Sequence, residues 1–110
     1  MNTLRNKVQL IGNLGNDPEI INLESGKTLA KFSIATNDSY KNAQGEKITD
    51  TQWHNIVAWG KTAQIVEKYI TKGKEVAIEG KLTTRSWEDK DGMKRYITEV
   101  VCSELLMLGK

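Results

Sequence analysis

Residues 51–87 read TQWHNIVAWGKTAQIVEKYITKGKEVAIEGKLTTRSW, and the fold is decided in this stretch. Residues 51–59 alternate. One parity carries Gln52, His54, Ile56 and Ala58, and the other carries Trp53, Asn55, Val57 and Trp59. In a strand these are opposite faces, so two tryptophans share one face, about 20 Å apart at ~3.3 Å per residue. The period then changes. Ala63, Val66, Tyr69 and Ile70 fall near a 3.6-residue repeat, which predicts a helix over 61–71, capped by Thr62 and ended by Lys72-Gly73. Alternation returns over 75–87, with Val76, Ile78 and Leu82 facing one way and Lys81, Thr83, Arg85 and Trp87 the other.

Outward from this strand–helix–strand unit the chain is all strand. Residues 4–14 place Val8, Leu10 and Leu14 on one parity, interrupted by Gly12, which predicts a bulge or sharp bend. Gly15-Asn16-Asp17-Pro18 is a turn signal. A short strand over 20–23 turns at 24–27 into a strand over 29–37, with Ala30, Phe32 and Ile34 on one face and Lys31, Ser33 and Ala35 on the other. The polar stretch 40–47 reads as a long hairpin arm. At the far end, Asp89-Lys90-Asp91-Gly92 is a hairpin tip, and the final strand runs over 95–108. Short antiparallel strands with one α-helix between the third and fourth predict an all-β fold, a five-stranded OB-fold Greek-key barrel. Closure into a barrel also removes the exposed edges of so small a sheet.

The chain has 110 residues, 38% of them hydrophobic and 27% charged, which fits one globular domain over residues 1–110. No run of apolar residues is long enough to span a membrane, and the first 14 residues lack a secretory signal. The single cysteine, Cys102, forms no internal disulfide and rules out a cysteine-based zinc site; it points to a reducing, cytoplasmic setting. Sixteen basic residues against 14 acidic leave a net charge of only +2. Nucleic-acid binding is therefore to be sought in where charges and aromatics sit, not in a bulk basic excess.

Trp53, Trp59 and Trp87 all fall on the parity opposite the core, among polar or basic residues that include Lys61, Lys72, Lys74, Lys81 and Arg85. Single strands are bound by this combination, with bases stacked on aromatic planes and cations following the phosphates. Burial of the tryptophans in a subunit interface is the competing reading, since aromatics are enriched there too. Three tryptophans on the wrong parity for the core favour stacking. His54 is the only histidine and has no partner for metal binding or nucleophilic catalysis; its parity suits a buried or interfacial hydrogen-bonding role. The acidic tip around Asp89 and Asp91 lacks the remaining ligand positions of a calcium loop. Gly12 and Gly15 precede no helix, so they form no phosphate-binding loop. No metal, cofactor or catalytic residue is expected.

These residues carry a resemblance. The stretches NKVQLIGNLGNDPE (6–19), ATN (35–37), TQWH (51–54), YITKG (69–73), IEGKL (78–82, running on to Trp87) and the ending EVV (99–101) through MLG (107–109) together resemble the bacterial single-stranded DNA-binding protein family along essentially the whole chain. The resemblance implies an OB fold and a homotetramer around which single-stranded DNA wraps. It implies stacking on Tyr40, Trp53, Trp59 and Trp87, the last three of which parity reaches independently. It implies phosphate contacts from Lys7, Lys61, Lys72 and Arg85, and an oligomer interface involving Lys7, Val8 and His54. The chain departs from the family in places. Tyr40 stands where tryptophan is frequent and Trp59 where phenylalanine is common. Asn55, Thr83 and Ser86 stand where a cation is often found, which predicts a shallower salt dependence, at about 0.7 log units for each phosphate left unneutralised. The family's acidic-tipped C-terminal tail is not present, so tail-mediated recruitment of repair and replication proteins is not expected.

The expectation is a sequence-tolerant single-stranded DNA-binding protein, not an enzyme, that protects strands in replication, recombination and repair. A primosome-type OB-fold replication protein and a protein–protein interaction module with interfacial tryptophans are the alternatives.

Overall fold

A computed structural model of the chain describes residues 3–108; Gly109 and Lys110, at the end of the family-like terminus, lie outside the described residues. After a 3-10 turn at Thr3–Asn6 the elements are β1 (Val8–Leu14), β2 (Glu19–Asn22), β3 (Thr28–Lys41), β4 (Lys47–Trp59), α1 (Gly60–Tyr69), β5 (Glu75–Glu88) and β6 (Lys94–Met107). Five strands close into a ring. β1 pairs with β5, β5 with β6, β6 runs parallel to β4, β4 pairs with β3, and β3 returns to β1 through Asn13↔Ala35 and Leu14↔Ile34. β2 stays outside the ring. It continues along the edge of β3 from Glu19↔Lys31 to Asn22↔Thr28, where β1 does not reach. The helix thus falls between the third and fourth barrel strands. It carries the chain across the barrel end, because the neighbour of β4 is β6 and not β5. This is the five-stranded Greek-key barrel that the sequence predicts.

The interior is built from the expected parity: Leu14, Ala30, Phe32, Ile34, Ile56, Val76, Ile78 and Val100 are buried in one cluster, capped by Ala63 and Val66 of the helix. Gly12 makes the closure possible. A Cβ there would run into the Ala35 carbonyl, so only glycine lets β1 cross from β5 to β3. β3–β4 and β5–β6 continue past the barrel as two-stranded arms. The radius of gyration is accordingly 16.2 Å, against ~13 Å for a compact chain of this length.

Four local expectations are corrected. Thr62 does not cap the helix. Gly60, at φ +60°, turns β4 directly into α1, so Trp59 is the N-cap, without a side-chain cap bond, and Thr62 already lies inside the helix. The helix ends at Tyr69 with Ile70 as C-cap, so Gly73 shapes the turn beyond it and donates its N–H to the Leu14 carbonyl. Tyr69 is exposed, because the stripe facing the barrel is Ala63, Val66 and Ile70 and the tyrosine lies on its flank. Leu82 shares parity with Val76 and Ile78 but is half exposed. β1 begins at Val8, opposite Gly80, so no strand covers Leu82; the Asn6 side-chain amide satisfies its backbone instead.

Candidate nucleic-acid interface

The register assembles one outer face. On β3 and β4 the pairs Leu29↔Trp59, Lys31↔Val57, Ser33↔Asn55 and Ala35↔Trp53 point away from the core. β6 adds Ile97, Glu99 and Val101 beside them, and β5 adds Thr83, Arg85 and Trp87. Two contiguous hollows run along this face. One lies among Asn16, Lys31, Asn55, Arg85 and Ile97, the other among Leu29, Val57, Trp59, Thr83 and Val101; Arg85, Lys31 and Glu99 line both. Leu29 and Val57 are buried on this outer side and form an apolar floor.

Trp59 lines the groove, and Trp53 and Trp87 stand on the same outer face, all three with exposed rings. Trp53, 61% exposed, lies over Gly15, where a Cβ would strike its ring. The turn after β1 is thereby fitted to the tryptophan of β4, and Gly15 N–H also holds the Ser33 carbonyl at 3.1 Å. Trp59 rises beside the apolar floor at the end of β4. Trp87 continues the face onto the β5–β6 arm, with the Arg85 guanidinium carbon 5.5 Å from its ring centroid, within cation–π range. Arg85 Nε in turn donates to Glu99 Oε1 at 3.0 Å.

The other candidates are distributed around this face. Tyr40 is exposed on the β3–β4 arm opposite Ile48, on the alternate parity from Trp53 and Trp59, where both sides of the arm are open. Lys72 follows the helix, and its backbone N–H donates to Asp17 Oδ1 at 2.8 Å, which sets it beside the turn that carries Gly15. Lys61 opens the helix two residues after Trp59 and lines a separate cleft with Thr28 and Lys68. Lys7 precedes β1 and shares a cleft with Arg5, Lys81 and Val101. It lies 3.4 Å from Glu79. The Glu79 carboxyl is held below its ordinary value, first by the Gln9 amide and then, against some desolvation, by Lys7. Val8 is half-buried at the start of β1. His54 belongs to the inner parity at the barrel end, half-buried, with Nε2 3.0 Å from Thr36 Oγ1.

Lys31 and Glu99 are groove residues that sequence reasoning did not select. The alternation had set Lys31 opposite Phe32, but only the β3–β4 register shows that this face is continuous with the tryptophans. At the arm tip, Asp89 accepts hydrogen bonds from Asp91 N–H, Met93 N–H and Arg95 Nε, with Arg95 chiefly holding its carboxyl below the ordinary value. That is hairpin chemistry, as read from the sequence. No group of three or more metal-ligating side chains occurs among the described residues.

An aromatic and cationic face across the second and third barrel strands, with flanking arms, is where OB folds take oligonucleotides. The chain is 51% identical over 105 residues to single-stranded DNA-binding protein 1 of Chlorobaculum tepidum, and spans 65% of that protein's length. It is 45% identical over 106 residues to the protein of the same name from Xylella fastidiosa, covering 78% of it. Among solved structures it matches the Plasmodium falciparum SSB in complex with ssDNA at a TM-score of 0.85 and 36% identity, over 94% of this chain and 95% of that one. It matches a deletion mutant of the single-stranded DNA binding protein from Thermus aquaticus at 0.81 and 26%, over 94% of this chain and 50% of that one. Residues 5–108 match the single-strand binding protein family as a whole, so barrel, groove and relatives converge: the chain belongs to the single-strand binding protein family.

Proposed function

We propose that this protein binds single-stranded DNA with little sequence preference and so protects strands exposed in replication, recombination and repair. The observation that carries the proposal is the single outer face that presents the exposed rings of Trp53, Trp59 and Trp87, with Trp59, Lys31 and Arg85 lining the hollow over its apolar floor. Bases stack on the tryptophans, with Tyr40 adding a ring on the arm. Phosphates meet Arg85, Lys31, Lys61, Lys72 and Lys7. Stacking is worth about 1–3 kcal/mol per base and accepts any base, because every base has a π-face. The reading contains no catalytic step, in keeping with a family of binding proteins.

The same reading includes a homotetramer. β1 pairs with β5 along one edge, while on its other edge β3 joins only at Asn13 and Leu14, so the backbone of 8–12 offers an open strand edge. Ile11 and Leu106, 59% and 62% exposed, border an apolar groove on the adjoining sheet face. A second copy of this chain, pairing β1 with β1 near Lys7 and Val8, covers both features, and His54 supports the assembly from the barrel end. The location that goes with this function is the cytoplasm, at replication forks; no helix among the described residues is long and apolar enough to cross a membrane.

The test is a titration of intrinsic tryptophan fluorescence with oligo(dT), run beside a native-mass measurement. Strong quenching, relieved by high salt, on a tetramer is expected. Absence of quenching at saturating DNA would favour an interaction module with interfacial tryptophans, and a dimeric mass would favour the primosome-type alternative.

A further inference from the structure

Glu99 is the one buried charged side chain among the described residues, 7% exposed, and it lies in the groove of a protein whose proposed ligand is a polyanion. A carboxylate there repels phosphate, so something has to offset it. Fold stability does not. Its partner Arg85 is half exposed, and a half-exposed ion pair contributes little, while the desolvation of the buried carboxylate works against what the pair gains.

The geometry offers another role. Arginine carries five N–H donors in a rigid plane. Glu99 Oε1 takes the one at Nε, nearest the stem, at 3.0 Å. The guanidinium carbon stands 5.5 Å from the Trp87 ring centroid. One carboxylate and one aromatic face together fix the guanidinium plane, and the four terminal N–H donors remain for a ligand. A long side chain that would otherwise lose rotamer freedom on binding is ordered beforehand.

We propose that Glu99 is a positioning residue: it orients Arg85 so that the terminal guanidinium nitrogens meet a phosphate of the strand whose base stacks on Trp87. This rests on the reading of Arg85 as a phosphate contact. The experiment is the slope of log Kobs against log[NaCl] for a dT oligonucleotide. R85A is expected to make the slope shallower by about 0.7, the value of one phosphate neutralised on a single strand. E99L is expected to reduce it by a similar amount, and R85A/E99L no further than R85A alone. E99Q, whose amide oxygen still accepts from Nε, is expected to retain the wild-type slope. If E99L does not fold, E99A takes its place. A wild-type or steeper slope for the Glu99 truncation, with R85A shallower, overturns the positioning role and makes Glu99 a mere neutraliser of Arg85. A reduced slope in E99Q overturns it as well. A wild-type slope in R85A instead removes the phosphate contact itself, and the inference with it.

Discussion

Gly15→Ala should weaken DNA binding without replacing any residue proposed to meet DNA. Gly15 has no left-handed backbone angle, so alanine fits its conformation. The obstacle is Trp53. A Cβ at position 15 would stand 2.7 Å from the Trp53 Cη2, with Cζ3 closer still, whereas ordinary contact begins at 3.4 Å, so the ring edge has to retreat by at least 0.7 Å. The ring is 61% exposed and has room to move. Gly→Ala also gains about 0.4–1 kcal/mol from the unfolded state, so stability should stay within ~1 kcal/mol of wild type. Binding should suffer more. Trp53→Ala sets the ceiling, about 1–3 kcal/mol per stacked base, or a ~5- to ~150-fold weaker Kd. A displaced ring keeps part of its stack, so Gly15→Ala should lose about 1 kcal/mol, near fivefold. Anisotropy of a labelled dT oligonucleotide at fixed salt reads the binding, and urea unfolding reads the fold. Wild-type affinity in Gly15→Ala beside a weakened Trp53→Ala would refute the claim that the glycine seats the ring. Wild-type affinity in Trp53→Ala would refute stacking at that residue.

Lys31→Ala should make the salt slope shallower by about 0.7 with native mass unchanged; an unaltered slope would remove Lys31 from the groove's phosphate contacts. His54→Trp should lower oligomer stability at low concentration, read by sedimentation, and an unchanged profile would count against the interface role. Burial pushes the Cys102 thiol up to about 11. The stability that its neutral form confers is whole below the unfolded value, about 8.5, and is lost as pH rises through 11. Iodoacetamide at pH 9 should therefore label Cys102 only as fast as the protein unfolds, and labelling at the rate of free thiol would show that the site is open.

Within-strand alternation carried much of the fold and part of the site. Trp53 and Trp59 share a face because they are six residues apart, and that needs no knowledge of neighbouring strands. Lys31 and Glu99 were beyond reach for the complementary reason: their importance depends on which strands lie beside them and in what register. The parallel pairing of β4 with β6, which brings the Glu99 strand beside Val57, joins segments some forty residues apart. Thr62 misled because a capping threonine is unnecessary where a left-handed glycine turns a strand straight into a helix. Leu82 misled because its parity is right but no strand lies over it. Tyr69 misled because periodicity marks a stripe's centre better than its flank.

The ring is closed between β1 and β3 by two residue pairs, whereas β3 and β4 share thirteen. Proteins open first where local bonding is sparse, so hydrogen exchange at Gly15, whose N–H crosses to the Ser33 carbonyl, and at Ala35 should report the barrel's first breathing motion. Trp53 faces Ala35 and covers Gly15, so a base stacked on it spans this joint. A ligand that binds only the closed form raises the free energy of opening by mass action. DNA bound at one tryptophan would thus act as a splint on the barrel, and amides buried beneath it, with no contact to DNA, would slow their exchange in proportion to occupancy.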